Sequence, residues 1–446
     1  MDSENQVRIP NGGYLIQDEY SAQDHVITEI YPEVSSNFSV TTILNYCKEK
    51  MLNPYLRLLS IISLRPLINM QEYSPIVDFI NCTYVVFSIF FMVLGYFLQY
   101  MSCFRRDRGF CYLVPNSNVF EEMRNSDKHI QERICYGSTL FSFILPSALH
   151  FVAYLHAIYV IRSSDDDQLP ILMERVILAS SNLSNGFVIQ KKLMRILSLF
   201  ITVSVIWMLM STISITSLIT EGNIEFKWIP IERSTISDNS LKILLVASIL
   251  WRDMVEAIII STYCLQSQLL ISYLFFLRER LLQYAVDPLN WMRDVEEFKK
   301  MLHYLNNEVA ISISIFTLVN ISYALSGTLW LFKLDFVDRK TLPIVGISVL
   351  IILLWISISA IPFIQAIRLT NACRMVKEVG QQVRVMPFVH SDTPRSELDS
   401  VLLYTSSLKI HAKLYNNVIT GSCFCFCIVV SCIVLLVLGM CHYLSF

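Results

Sequence analysis

Charged residues are scarce in this chain. Asp, Glu, Lys and Arg make up only 16% of its 446 residues, and hydrophobic residues 54%, where a soluble chain would carry about 25% charge. The shortage excludes an ordinary soluble globule. The apolar residues fall in long blocks, the pattern of a polytopic helical membrane protein. There is no basic domain, and the net charge is -2, so no nucleic acid partner is expected. The first fifty residues hold no apolar run, which excludes a cleaved signal peptide of the usual form. The twelve cysteines lack metal-ligand spacing. No phosphate loop, zinc signature or nucleophile motif occurs. Neither an enzyme, a metal site nor a cofactor is therefore expected. No duplicated half is visible, which argues against a transporter built on internal repeats.

What is present is an all-α membrane chain with seven expected spans, at about 74–100, 134–161, 196–220, 240–278, 309–334, 342–367 and 418–443. Residues 1–52 are expected as a cytosolic N-terminal tail. The segment 53–70, with Arg57, Arg65 and Pro66, is too short and too basic for a span and is expected as an interfacial amphipathic helix. Pro146 and Pro362 are expected to kink spans two and six. Residues 368–417 form a cytosolic loop, helical through Glu397–Tyr415. Lys and Arg concentrate on the side that holds the N-terminus and loops two, four and six, which places the N-terminus in the cytosol and the C-terminus outside. Arg105, Arg106 and Arg108 in the first outer loop run against that bias. The sequons at Asn37 and Asn182 fall on the cytosolic side and are expected to be unused.

The fourth span is the unusual one. Arg252, Asp253 and Glu256 interrupt an apolar helix that runs from Ser240 past Leu277, and ionisable groups near membrane depth mark functional sites. At about 100° per residue, Arg252, Glu256, Tyr263, Gln266 and Ser267 share roughly a third of the circumference. Arg252 and Glu256 are spaced to pair at i, i+4. Two readings follow, the wall of a ligand pocket at its outer rim or a structural ion pair at headgroup level. Asn320, Tyr323, Gly327 and Trp330 share a face of span five, and His150 lies within span two. They are candidates for the same pocket or for helix packing. Trp207, Trp251, Trp330 and Trp355 read first as interface anchors and, at lower weight, as ultraviolet absorbers. Span seven carries no charge. Ile428, Val429, Cys432, Leu435 and Leu436 are candidates for a hydrophobic gate or for plain packing. Cys103, Cys111 and Cys135 lie near the outer surface. Cys103 with Cys111 is one disulfide pairing among those left open.

Three stretches carry a likeness to a known family: PYLRLLSIISLRPL at the entry, the overlong span four, and NACRMVKEVGQQVRVMPF after span six. With seven spans and an internal N-terminus, they resemble the insect gustatory and odorant receptor superfamily. The short outer loops and cysteine-rich last span resemble its nematode gustatory-receptor-like group. The family's last-span Thr-Tyr and Gln-Phe are absent from span seven. The resemblance implies a plasma-membrane sensory receptor of neurons, a homo-tetramer or hetero-tetramer with related receptors, embedded in lipid. It implies a cation channel gated by a small-molecule stimulus, by oxidants such as hydrogen peroxide, or by short-wavelength light. The alternative is a seven-span receptor without a pore that signals through intracellular partners. Against a G-protein-coupled receptor stand the missing Asp-Arg-Tyr after span three, the missing Asn-Pro-x-x-Tyr in span seven and the inverted charge bias.

Overall fold

The structure, a computed structural model, describes residues 45–68, 75–107, 109–110, 139–163, 168–181, 186–221, 235–283, 287–331, 342–385, 394–415 and 417–444. Eleven α-helices and two short hairpins follow in order: α1 (Asn53–Ile61), α2 (Pro75–Met101), β1 (Phe104–Arg105), β2 (Gly109–Phe110), α3 (Leu145–Ser163), α4 (Gln168–Ser181) and α5 (Gly186–Glu221). Then come α6 (Thr235–Leu282), α7 (Pro288–Tyr304), α8 (Ala310–Leu331), α9 (Leu342–Val385), α10 (Arg395–Ser407), β3 (Lys413–Leu414), β4 (Asn417–Val418) and α11 (Gly421–Leu444). Among the described residues, five stretches are long and apolar enough to cross a membrane: Pro75–Met101, Leu140–Ser163, Gln190–Ile219, Pro288–Leu331 and Val345–Val383.

The expected fourth span is the axle of the bundle. α6 has 48 residues and, at 1.5 Å per residue, runs roughly 70 Å. It packs against α2, α3, α4, α5, α7, α8 and α9. A helix touched on all sides must be apolar all round or carry paired polar groups. α6 does both, with Leu269, Leu270 and Leu274 buried on the same helix as the buried Arg252, Asp253 and Glu256, each of which has partners. Gly95 on α2 permits a close crossing with α6, since a Cβ there would lie 2.9 Å from Ser248 Cβ.

Several expectations are corrected. The last residues of the expected tail are helical, and Cys47 and Leu52 are buried. The expected interfacial helix over 53–70 ends at Ile61 and is anchored to the bundle. Tyr55 Oη donates to Ile258 O at 3.2 Å and bonds Thr262 Oγ1 at 2.8 Å. After α1 the chain turns through Ser63, in left-handed conformation. Asn81 Oδ1 then accepts from the backbone N–H of Leu67 and Ile68. Pro146 lies in the first turn of α3, directly after a π-turn over Leu140–Ile144. α9, with Pro362 inside it, runs past the expected end at Ile367 to Val385. The helix expected through Tyr415 stops at Ser407, and a hairpin follows.

α7, α10 and the ends of α6 and α9 form a packed layer at one end of the bundle. Trp291, Val295 and Phe298 are fully buried there. Trp291 Nε1 donates to Leu277 O at 3.0 Å, and its ring meets Tyr404 edge-on at 6.3 Å. Ion pairs Arg175–Glu297 and Arg280–Asp294 rim the layer. The β3–β4 hairpin is clamped by Asn306, whose Nδ2 donates to His411 O and whose Oδ1 accepts from Lys413 N, both at 2.9 Å. Desolvation, with Lys413 and Lys377 nearby, lowers the His411 pKa below the ordinary 6.5. The unfolded chain therefore takes up a proton first as pH falls, so this contribution to stability is full above 6.5 and is lost below it. The hairpin is expected to become more protease-sensitive on acidification from pH 7.5 to 5.5. His411→Gln should flatten that pH dependence.

Candidate functional site

The ionisable residues of α6 lie inside the protein. Arg252 is 1% exposed, Asp253 0% and Glu256 1%. The sequence favoured a position at an outer rim, whereas the surrounding helices close over all three. Charges this deep need partners, and each finds a separate set. Arg252 Nη2 donates to Tyr323 Oη at 2.9 Å and Nη1 to Gln99 Oε1 at 3.4 Å. Its guanidinium also lies over the Tyr96 and Tyr323 rings, 5.4 and 5.9 Å from their centroids. Glu256 Oε1 accepts from Asn320 Nδ2, and its Oε2 lies 3.7 Å from His150 Nε2. His150 Nδ1 shares a 2.8 Å hydrogen bond with Tyr96 Oη, and its ring meets Phe316 edge-on.

The i, i+4 pair expected between Arg252 and Glu256 is replaced. Ion pairs in this cluster join Arg106 to Asp253 at 2.5 Å and Arg105 to Asp107 at 2.8 Å. Asp253 Oδ2 also accepts from Ser211 Oγ at 2.7 Å. Arg105, Arg106 and Asp107 belong to the β1–β2 hairpin and are all buried. A loop segment therefore enters the bundle and supplies the cation for Asp253. It is held there by Ser326, which donates to Asp107 Oδ2, and by Trp355, whose Nε1 donates to Arg106 O. Gly327 makes room for it, since a Cβ at that position would lie 2.8 Å from Asp107 O and 2.9 Å from Ile352 Cγ1. Gly327→Ala is expected to displace the hairpin at a cost of about 1–3 kcal/mol, read as a lowered unfolding midpoint of the purified protein.

Beside the cluster, Phe104, Arg106, Trp207, Ser211, Ile215, Ile351, Leu354 and Trp355 line a cleft between α5 and α9. Its non-atom space is about 330 Å³, part of it open to the surface. The closed-in room is about 10 Å³, that of a single water molecule. The Trp207 and Trp355 rings stand 5.9 Å apart, edge to face. Both are interior residues rather than interface anchors.

Of the residues singled out in the sequence, Arg252, Asp253, Glu256, His150, Asn320 and Tyr323 come together. Tyr263 is buried two turns further along α6, roughly 10 Å away, and Trp330 is half-buried near the end of α8. His156, six residues after His150, shares a 2.8 Å hydrogen bond with Ser312 Oγ. Arg106, Tyr96, Gln99, Ser211 and Trp355 were missed as site residues. The Arg-Arg-Asp-Arg run between Phe104 and Phe110 was the available signal, four charges in the shadow of an apolar span. Of the gate candidates on α11, Ile428, Val429, Cys432 and Leu436 are exposed. The side chain of Leu435 and the whole of Cys111, with its pairing to Cys103, lie outside the described residues. Among the described residues, no group of three His, Cys, Asp or Glu is placed to hold a metal.

No family model matches the chain, and no curated relative matches it in sequence. Solved structures do. The insect olfactory receptor OR5 from Machilis hrabei superposes with a TM-score of 0.58 at 12% identity, over 87% of this chain and 97% of that one. The chain has the fold of an insect olfactory receptor. The same receptor in complex with eugenol gives a TM-score of 0.56 at 11% identity, over 88% and 99% of the two chains. At this identity no residue role transfers, and the olfactory-receptor fold here rests on its own packing, with α6 at the centre and the buried charges on it.

Proposed function

We propose that this chain is a chemosensory receptor subunit of the plasma membrane of sensory neurons, acting as a small-molecule-gated cation channel. The observation that carries this reading is the olfactory-receptor fold over nearly the whole chain, in which a charged cluster lies beside an aromatic cleft. The proposal has seven spans, with α6 and α11 joining the five apolar helices, a cytosolic N-terminus and an outer C-terminus. Burial of Arg105 and Arg106 in ion pairs supports this orientation, because cations paired inside the protein no longer count toward the bias of charges at the membrane surface. α11 supports an oligomer, homo-tetrameric or mixed with related receptors. Its principal contact in the chain is α8, while Phe426, Val429, Ile433 and Leu436 stay exposed. Those faces suit a central axis lined by several copies. A stimulus that binds the open state better shifts the gating equilibrium toward it.

The test is patch-clamp recording of the chain expressed alone, with a panel of small organic molecules, hydrogen peroxide and short-wavelength light. A stimulus-gated cation current that needs no G protein, with conductance or gating altered by Leu436→Ala, is the expected result. Surface-expressed protein silent under every stimulus would overturn the channel and leave a receptor that acts through intracellular partners.

A further inference from the structure

The turn between β3 and β4 holds a bulky residue in an unfavourable backbone conformation. Tyr415 has φ 53°, in the left-handed region where Gly or Asn is usual. Such a conformation persists only where its surroundings over-determine it, and such places cluster at switching sites. Here the surroundings are α8 and α9. The Tyr415 N–H donates to Ser314 Oγ at 3.0 Å, and its Oη lies 2.5 Å from Thr317 Oγ1. Ser314 spends its own hydroxyl proton on Ala310 O, and Thr317 spends its proton on Ser314 O. Both hydroxyls therefore accept, and Tyr415 donates twice. From the other side the Phe363 ring of α9 stacks on Tyr415, with 6.0 Å between centroids and 20° between planes. α11 starts at Gly421, a few residues on. Thr317 lies within about two turns of Asn320 and Tyr323 on the same helix, and these hold Glu256 and Arg252.

We propose that Tyr415 is a positioning residue, a catch by which α8 fixes the start of α11. The inference rests on the receptor reading above and adds the contact that ties α11 to the buried charge cluster. The catch has two states. With both hydrogen bonds made, the turn is held left-handed and α11 leaves the hairpin in the direction seen here. With Thr317 withdrawn from the Tyr415 hydroxyl, the backbone relaxes toward an ordinary φ and α11 leaves in another direction. α8 is the element able to withdraw it. A small shift of this helix that repacks Asn320 or Tyr323 carries Thr317 with it, because packed helices move as units. Asn306 has a different part. It clamps the chain at His411 and Lys413, ahead of the turn, so it anchors the hairpin in either state.

The experiment is hydrogen exchange, read by mass spectrometry, on the full-length protein in nanodiscs. Wild type is compared with Tyr415→Phe, Thr317→Val, the double variant and Thr317→Ser. Loss of the hydroxyl bond in either of the first two should speed exchange roughly tenfold across residues 412–430, into the second turn of α11. The double variant should exchange no faster than the single ones, because the two hydroxyls make one bond. Thr317→Ser keeps the hydroxyl and should match wild type, and peptides of α7 should not change. Faster exchange confined to the hairpin overturns the positioning role, as do additive effects in the double variant or an equal rise in α7. Under patch clamp, Tyr415→Phe and Thr317→Val should lower the stimulus level for half-activation roughly threefold or more, since part of the release is already done. Thr317→Ser should again match wild type. A midpoint unshifted or raised, with exchange increased, overturns the catch as part of gating and leaves the channel reading standing. A chain without current defeats the channel reading, and the exchange result still decides whether Tyr415 positions α11.

Discussion

Arg106→Ala destabilises the protein by about 3–5 kcal/mol, the usual cost of leaving one member of a buried ion pair unpaired. The size follows from where Asp253 sits. It is fully buried, its Oδ1 faces Arg106 and its Oδ2 has only the Ser211 hydroxyl. Without Arg106, an ionised carboxylate remains in the middle of a helical bundle, and Trp355 loses the cation that lies 5.3 Å from its ring centroid. Asp253→Ala should cost a similar amount, because it strands the guanidinium instead. The double variant should lie nearer the wild type than the sum of the two, since it leaves no lone charge. Thermal or denaturant unfolding of the four purified proteins measures this cycle. Strict additivity would show that the two side chains do not act as a pair.

The second large effect lies at the other end of α6. Trp291→Ala is expected to cost about 3–5 kcal/mol, the range for truncating a buried aromatic residue. Trp291 is fully buried, with the Tyr404 ring of α10 edge-on against it. Its indole N–H ties α7 to α6 at Leu277. Trp291→Phe keeps much of the volume and should lose about 1 kcal/mol with the hydrogen bond. The damage should be local. Limited proteolysis should cut first within α7 and α10, and only later within α5. Simultaneous cleavage in both would mean that the layer and the rest of the bundle unfold as one unit.

The helices were legible because apolar length and period are local properties. The described parts of the blocks at 74–100, 134–161, 196–220 and 342–367 each fall on a helix in the structure, and the charge-bearing stretch 240–278 lies within one continuous helix. Their ends were less legible. α9 continues past Ile367 because its polar part packs against α10, a tertiary contact. α10 stops at Ser407 because the segment that follows is clamped by Asn306, more than a hundred residues earlier. The helical face of Arg252 and Glu256 was correct as geometry and misleading as a pair.

The sequence by itself determined that this chain is a helical membrane protein, and that its most exceptional residues are Arg252, Asp253 and Glu256. Scarce charge and long apolar runs suffice for that, because the transfer of side chains out of water depends on composition. Only the tertiary structure decided which groups those charges meet. Arg106 arrives from a hairpin, Asn320 and Tyr323 from α8, Tyr96 and Gln99 from α2, and His150 from α3. A buried charge is satisfied by whatever folding brings within about 3 Å, and that distance has no counterpart in the order of residues along the chain.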